Sequence, residues 1–217
     1  QDNKATALIG RTDYQFTQGH RFTARYGFSD SVENNAVTVG GATNPFSQFA
    51  LSNEGTEKDR LHNGTAQYTH LINATTVNDL RFTGSYEVRP RLANSNTPSV
   101  TSFLGNFGAR NFLPTTQDDQ RWQLTDSVSV VRGKHSMKFG VDFSRISTVQ
   151  AFGFNQFGTF NTNLSNALTV AQLLGGNGTN GGNRFDNPSV IYDRQIGNLV
   201  ADFGLTQLAF FGQNSIR

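Results

Sequence analysis

Asp79-Leu80-Arg81-Phe82-Thr83-Gly84-Ser85-Tyr86-Glu87-Val88-Arg89 is the stretch on which the fold turns. Leu80, Phe82, Gly84, Tyr86 and Val88 alternate with Asp79, Arg81, Thr83, Ser85, Glu87 and Arg89. Successive side chains of an extended strand leave opposite faces. A period of two therefore predicts a strand that is apolar on one side and charged on the other.

Working outward, the pattern recurs in pairs. Phe22, Ala24, Tyr26 and Phe28 alternate with Thr23, Arg25 and Gly27. A weaker strand over about 5–16 precedes them, with Leu8, Gly10, Thr12, Tyr14 and Phe16 on one face, and Thr17-Gln18-Gly19 suits a hairpin between the two. A strand over about 61–71, with Ala66 and Tyr68 on its apolar face, meets the opening stretch near Asn73-Ala74-Thr75. Trp122, Leu124, Val128 and Val130 alternate with Arg121, Gln123, Thr125, Ser127 and Ser129, and Asp126 interrupts the apolar side. Arg132-Gly133-Lys134-His135 turns into Met137, Phe139, Val141 and Phe143, set against Lys138, Gly140, Asp142 and Ser144. A seventh strand is predicted over about 206–217, with no following mate.

Soluble sandwiches and transmembrane barrels both alternate in this way. Connection lengths separate them. The expected connections are short at 17–19, long at 30–57, short at 72–76, long at 90–118, short at 132–135 and long at 147–204. Short turns at one end and long loops at the other are the mark of an outer-membrane barrel. Structureless loops beyond about 12–15 residues are uncommon in compact soluble domains. The fold class predicted is thus all-β: antiparallel up-and-down hairpins forming a partial segment of a large transmembrane β-barrel. The alternative is a soluble β-sandwich or surface adhesion module that binds protein or glycan through its loops.

Composition agrees. Of 217 residues, 35% are hydrophobic and 16% charged, against typical globular values of about 45–50% apolar, a count that includes Gly, and about 25% charged. The 19 Phe argue against disorder. A net charge of +2 gives no ground for a nucleic-acid partner. With no Cys there is neither a disulfide nor a thiolate metal site. No stretch approaches the ~20 apolar residues of a membrane helix. The opening Gln1-Asp2-Asn3-Lys4 has no initiator Met and none of the features of a secretory signal.

On this reading Phe22, Tyr26, Phe28, Phe82, Tyr86, Trp122, Phe139 and Phe143 face membrane lipid. Arg25, Arg81, Glu87 and Arg121 face the lumen, where they pair across strands, hold a plug or line a solute path. Two of the four histidines, His62 and His70, share one strand face, while His20 and His135 lie at turn ends. Such spacing makes a poor metal site, and neither metal nor cofactor is expected. Glu54, Glu57 and Asp59, like Asp118 and Asp119, read as solvated loop charge. Gly176-Asn177-Gly178-Thr179-Asn180-Gly181 fits G-x-G-x-x-G formally but lacks the strand and helix that a dinucleotide site requires. Residues 165–174 could form one short helix, capped by Ser165. No catalytic constellation is present, so no enzyme is expected.

Several of these segments also resemble a known family. Gly133-Lys134-His135-Ser136-Met137-Lys138-Phe139-Gly140-Val141-Asp142-Phe143 is similar to a hairpin of TonB-dependent outer-membrane receptors, specifically of the Oar-like subgroup. Tyr68-Thr69-His70 with Val77-Asn78-Asp79-Leu80-Arg81-Phe82 resembles another of its hairpins. Phe157-Gly158-Thr159-Phe160 followed by Ala171-Gln172-Leu173-Leu174-Gly175 resembles one of its loops. Phe210-Phe211-Gly212-Gln213 resembles a further strand, although Asn214-Ser215 replaces the acidic pair expected there. The resemblance implies a barrel of about 22 strands, a plug and a TonB-contacting segment that this chain does not contain, and uptake of a scarce, bulky solute. The implied partners are outer-membrane lipid, TonB through the plug, and an unidentified solute.

Overall fold

The computed structural model describes residues 3–35, 50–102, 105–162 and 190–216. Twelve strands are found among them: β1 Lys4–Thr17, β2 His20–Asn34, β3 Gly55–Asn73, β4 Thr76–Val88, β5 Arg91–Ala93, β6 Ser99–Ser102, β7 Gly105–Phe107, β8 Thr115–Arg132, β9 His135–Phe152, β10 Thr159–Thr162, β11 Val190–Asp193 and β12 Val200–Ile216. Seven long strands make one antiparallel sheet in the order β1-β2-β3-β4-β8-β9-β12, with β5 pairing the ends of β3 and β8. The strands neighbour one another in chain order, as up-and-down hairpins require. Strands of 13–19 residues exceed the ~9–11 needed to cross a bilayer.

Each short turn has a local cause. Asn73 Oδ1 accepts from both the Thr75 amide and the Thr75 hydroxyl, each at 2.9 Å, closing the β3–β4 turn. Gly133 takes φ +58 between β8 and β9, a left-handed conformation that glycine adopts without steric cost. The Gly19 amide donates to Thr17 Oγ1 at 3.3 Å between β1 and β2.

The structure extends several predicted boundaries. β2, β8, β9 and β12 all run further toward the long loops than the alternation indicates. On β2 and β8 both faces turn largely polar there, and on β9 apolar residues fall on both faces, Ile146 and Phe152 on one, Val149 and Ala151 on the other. β12 opens with the largely apolar Val200 to Leu205, and backbone pairing continues throughout. Segments such as Ser29-Asp30-Ser31 and Thr116-Gln117-Asp118 carry no periodic signal but remain in the ladder. The last strand begins at Val200 and pairs with β9 along its whole length. Nor are the second and third connections structureless: β6, β7, β10 and β11 form a separate four-stranded sheet, in the order β11-β10-β6-β7. Its β6–β10 pair is parallel and so ties the two connections together. The expected helix at 165–174 and the glycine run at 176–181 lie outside the described residues.

Almost no conventional core exists. Among the described residues only Ala109 and Leu113 are buried hydrophobics, and both belong to the loop end. Phe82, Tyr86 and Phe139 remain 46%, 38% and 53% exposed. In a soluble sandwich these side chains would be packed against a second sheet, and no sheet among the described residues covers them.

Candidate functional site

The register decides which side chains share a face. Phe22, Ala24, Tyr26 and Phe28 on β2 pair with Tyr68, Ala66, Gly64 and His62 on β3. These in turn meet Leu80, Phe82, Gly84 and Tyr86 on β4, which face Asp126, Leu124, Trp122 and Gln120 on β8. Leu124 and Val128 then pair with Phe143 and Phe139 on β9. All eight residues expected to face lipid therefore lie on one face. Arg25, Arg81, Glu87 and Arg121 all lie on the opposite face.

The apolar zone crosses the partner rows at a slant. Phe28 stands in a row with His62, Tyr86, Gln120 and Ser147, so this row becomes polar between β4 and β8. At the turn end the row His20, His70, Asn78, Val128 and Phe139 changes the opposite way. Strands tilted through a flat slab give this stagger.

Aromatic–histidine pairs border the zone at both ends. Toward the turns, His20 Nδ1 and the Tyr68 hydroxyl share a hydrogen bond of 2.5 Å, and His20 stacks on His70 with ring centroids 4.2 Å apart. Toward the loops, the Tyr26 hydroxyl and His62 Nδ1 are 2.7 Å apart and Phe28 packs on the same imidazole. His62 and His70 are eight positions apart on β3, roughly 26 Å of strand. A tilt of about 40° reduces this to about 20 Å, near the ~25 Å apolar band of an outer-membrane barrel. The sequence places His62 and His70 on one face but does not reveal them as rim residues; their shared parity with Tyr68 is the available signal. Asp126, the interruption on this face, accepts from Asn78 Nδ2 at 2.7 Å.

The opposite face is a polar lattice. Asp13 accepts from Arg11, Arg21 and Thr23. Asp79 accepts from Gln67 and Thr69, and Asp142 from Gln123 and Thr125. Arg81 donates to Gln67 Oε1 at 3.2 Å. Arg25 lies directly across from Arg11, and Arg121 across from Ser85. Neither Arg25 nor Arg121 has a side-chain partner among the described residues.

Nearer the loops, beyond the apolar band, this face becomes acidic. Glu57, Asp59, Glu87 and Asp119 gather there with Arg89 and Arg91. Glu57, Asp59, Asp118 and Asp119 are thus strand residues, not the loop charges expected. Arg91 pairs with Glu57 at 3.0 Å, while Arg89 contacts Glu87 and, at 3.8 Å, Asp59. Shielding from water, reinforced by Glu87 and Glu57 and opposed by Arg89, pushes the Asp59 carboxyl above its usual pKa.

Beyond the strands, the described parts of the connections form a small cap. Arg110 is its centre: the guanidinium is buried, donates from Nε to the Asn53 carbonyl at 3.0 Å, approaches Glu54 Oε1 at 3.5 Å and lies over the Phe112 ring. Asn53 Nδ2 donates to the Gly108 carbonyl at 3.2 Å, fastening the 3-10 turn Leu51–Asn53 to the segment after β7. Leu113 and Ala109 pack in this region with under 2% exposure. No sequence signal points to Arg110, because its partners come from a different connection.

A protein-family model described as an outer membrane beta barrel domain matches residues 1–217. No curated protein and no solved structure matches the chain.

Proposed function

The chain belongs to the outer membrane beta barrel domain family and lies in the outer membrane of a Gram-negative bacterium, and from this premise we propose that it forms part of the barrel wall of a TonB-dependent receptor. In this reading the receptor takes up a scarce, bulky solute, and energy arrives through TonB acting on a plug carried elsewhere in the protein. The apolar face contacts lipid. Arg25, Arg81, Glu87 and Arg121 belong to the lumen wall.

The observation that carries the reading is the architecture of the long sheet. Among the described residues its two edge strands, β1 and β12, each leave one side of the backbone ladder unpaired. Open edges do not occur in hydrocarbon, so the wall continues into further strands of a larger barrel. The hairpin with the receptor-like sequence, Gly133 to Phe143, sits at the turn and the first half of β9, within the apolar band. A cap built from two loops at one end suits a receptor that must hold its solute before passing it inward.

The test is to express the protein from its full gene in outer membranes and probe it with the purified periplasmic domain of TonB. A TonB-dependent receptor is retained by that domain, and more strongly once its solute is bound. A product that ignores TonB and conducts ions as a permanently open pore contradicts the proposal.

A further inference from the structure

A hollow of about 490 Å³ interrupts the apolar face of the sheet. Gly64 on β3 stands directly opposite Gly84 on β4, so at this level neither strand presents a side chain. Tyr26 and His62, joined by their hydrogen bond, wall one side. Tyr86 and Trp122 wall the other, and Ala66 and Phe82 close the lower end.

Backbone crowding does not demand these glycines. A Cβ at Gly64 would meet nothing nearer than the Arg25 carbonyl at 3.8 Å. At Gly84 it would touch only the edge of the Phe82 ring, at 3.5 Å. Glycine inside a strand weakens it and often marks a close approach by a ligand. What the pair leaves is open space, walled by rings, on a face that meets hydrocarbon.

Depth and charge identify the occupant. The hollow lies just below the loop-side rim, and long loops mark the extracellular end, so the lipid beside it belongs to the outer leaflet. In a Gram-negative outer membrane that leaflet consists of phosphorylated, multiply acylated glycolipid. Charged groups of both signs lie on the same face: Lys58 and Arg60 on β3 and Arg145 on β9, with Asp30 and Asp118 among them. Arg60 is engaged with Asp30 at 2.8 Å. Arg145 is exposed and has no side-chain partner among the described residues. It is the register partner of Trp122, which puts it level with the Gly64–Gly84 row and two strands from Gly84.

We propose that this hollow seats one acyl chain of an outer-leaflet phosphoglycolipid, with Arg145 binding a phosphate beside it. The inference rests on the reading of this face as outward. A tightly held lipid would fill the space left by the two glycines and supply the counter-charge that Arg145 lacks.

The experiment uses the protein expressed from its full gene and extracted from outer membranes in mild detergent. Glycolipid carried through purification is measured as 3-hydroxy fatty acid per protein. Gly84→Leu fills the hollow, where a Cβ meets only the edge of the Phe82 ring at 3.5 Å, and Arg145→Gln removes a phosphate contact from an exposed position; circular dichroism verifies that each variant keeps its β-sheet. Each variant should retain severalfold less glycolipid than the wild type. Unchanged retention in both, or a phospholipid in its place, overturns the proposal. Ala66→Cys tests the underlying face separately. Labelling by a lipid-soluble but not a water-soluble maleimide supports the outward reading, and the reverse result removes that reading itself.

Discussion

Phe139-Gly140 on β9 and Phe211-Gly212 on β12 meet reciprocally, Phe139 opposite Gly212 and Gly140 opposite Phe211. Each ring lies against the glycine across the ladder, one pair on each face of the sheet. A Cβ at Gly140 would collide with the Phe211 ring and come within 2.6 Å of the Asp126 carbonyl. Gly140→Val should therefore destabilise the protein by about 1–3 kcal/mol, the usual range for overpacking. Gly10, where an added Cβ would meet nothing within 4 Å, should tolerate the same change within about 0.5 kcal/mol. Urea unfolding in lipid vesicles compares the two. Asp59 supplies a pH prediction of unusual sign. Its folded-state pKa is raised, so the folded form binds the proton more tightly than the unfolded form does. The favourable contribution is complete below the unfolded pKa and is lost as pH rises through the folded pKa. Asp59→Asn should match or exceed the wild type in stability at neutral pH, and should gain less than the wild type on mild acidification. A wild type whose stability gains nothing relative to the variant on acidification would contradict this account of the acidic mouth.

At the scale of elements, the cap and the long strands depend on different forces. The cap is organised around the buried Glu54–Arg110 pair. Removing one partner of such a pair costs about 3–5 kcal/mol, because the other charge stays buried. Arg110→Ala should open the cap to protease while the seven long strands remain protected, a pattern that limited proteolysis of the membrane-embedded protein would show. Equal loss of both would mean that cap and sheet fold as one unit. The same division explains what can be read from the sequence. Leu80 to Val88 announces its strand because apolar side chains fill one of its faces and charged or polar ones the other. Where β8 rises past Trp122 both faces are polar, and where β9 rises past Phe143 apolar residues fall on both faces; the periodicity vanishes in each, so alternation alone ends these strands too early. The pairing of β6 with β10 joins segments far apart in the chain through backbone bonds that leave no periodic mark. Arg25, Arg81, Glu87 and Arg121 are legible as one face by parity alone. The slanted band and the Gly64–Gly84 hollow are not, since both depend on register between strands.

At the scale of the whole molecule, a sheet with almost no conventional core is stable only if its two faces meet different solvents. In the proposed receptor a barrel wall supplies both at once: hydrocarbon against Phe82, Leu124 and Phe143, and water against Arg81, Thr83 and Gln123. Phe82→Arg, near the middle of the band, should cost about 2–4 kcal/mol in lipid. Thr83→Arg, one residue along and on the other face, should cost far less. Equilibrium unfolding in vesicles would measure the difference, and similar costs for the two would argue against a two-solvent sheet. The most direct test is a spin-label scan along β4, from position 79 to 88, in the protein embedded in lipid. Collision rates with oxygen, which concentrates in hydrocarbon, and with a water-soluble nickel chelate should alternate out of phase. Positions 80, 82, 84 and 86 should favour oxygen, and 79, 81, 83, 85 and 87 the chelate. A flat profile in which neither reagent reaches positions 80, 82 and 86 would mean a closed protein core and would contradict the account.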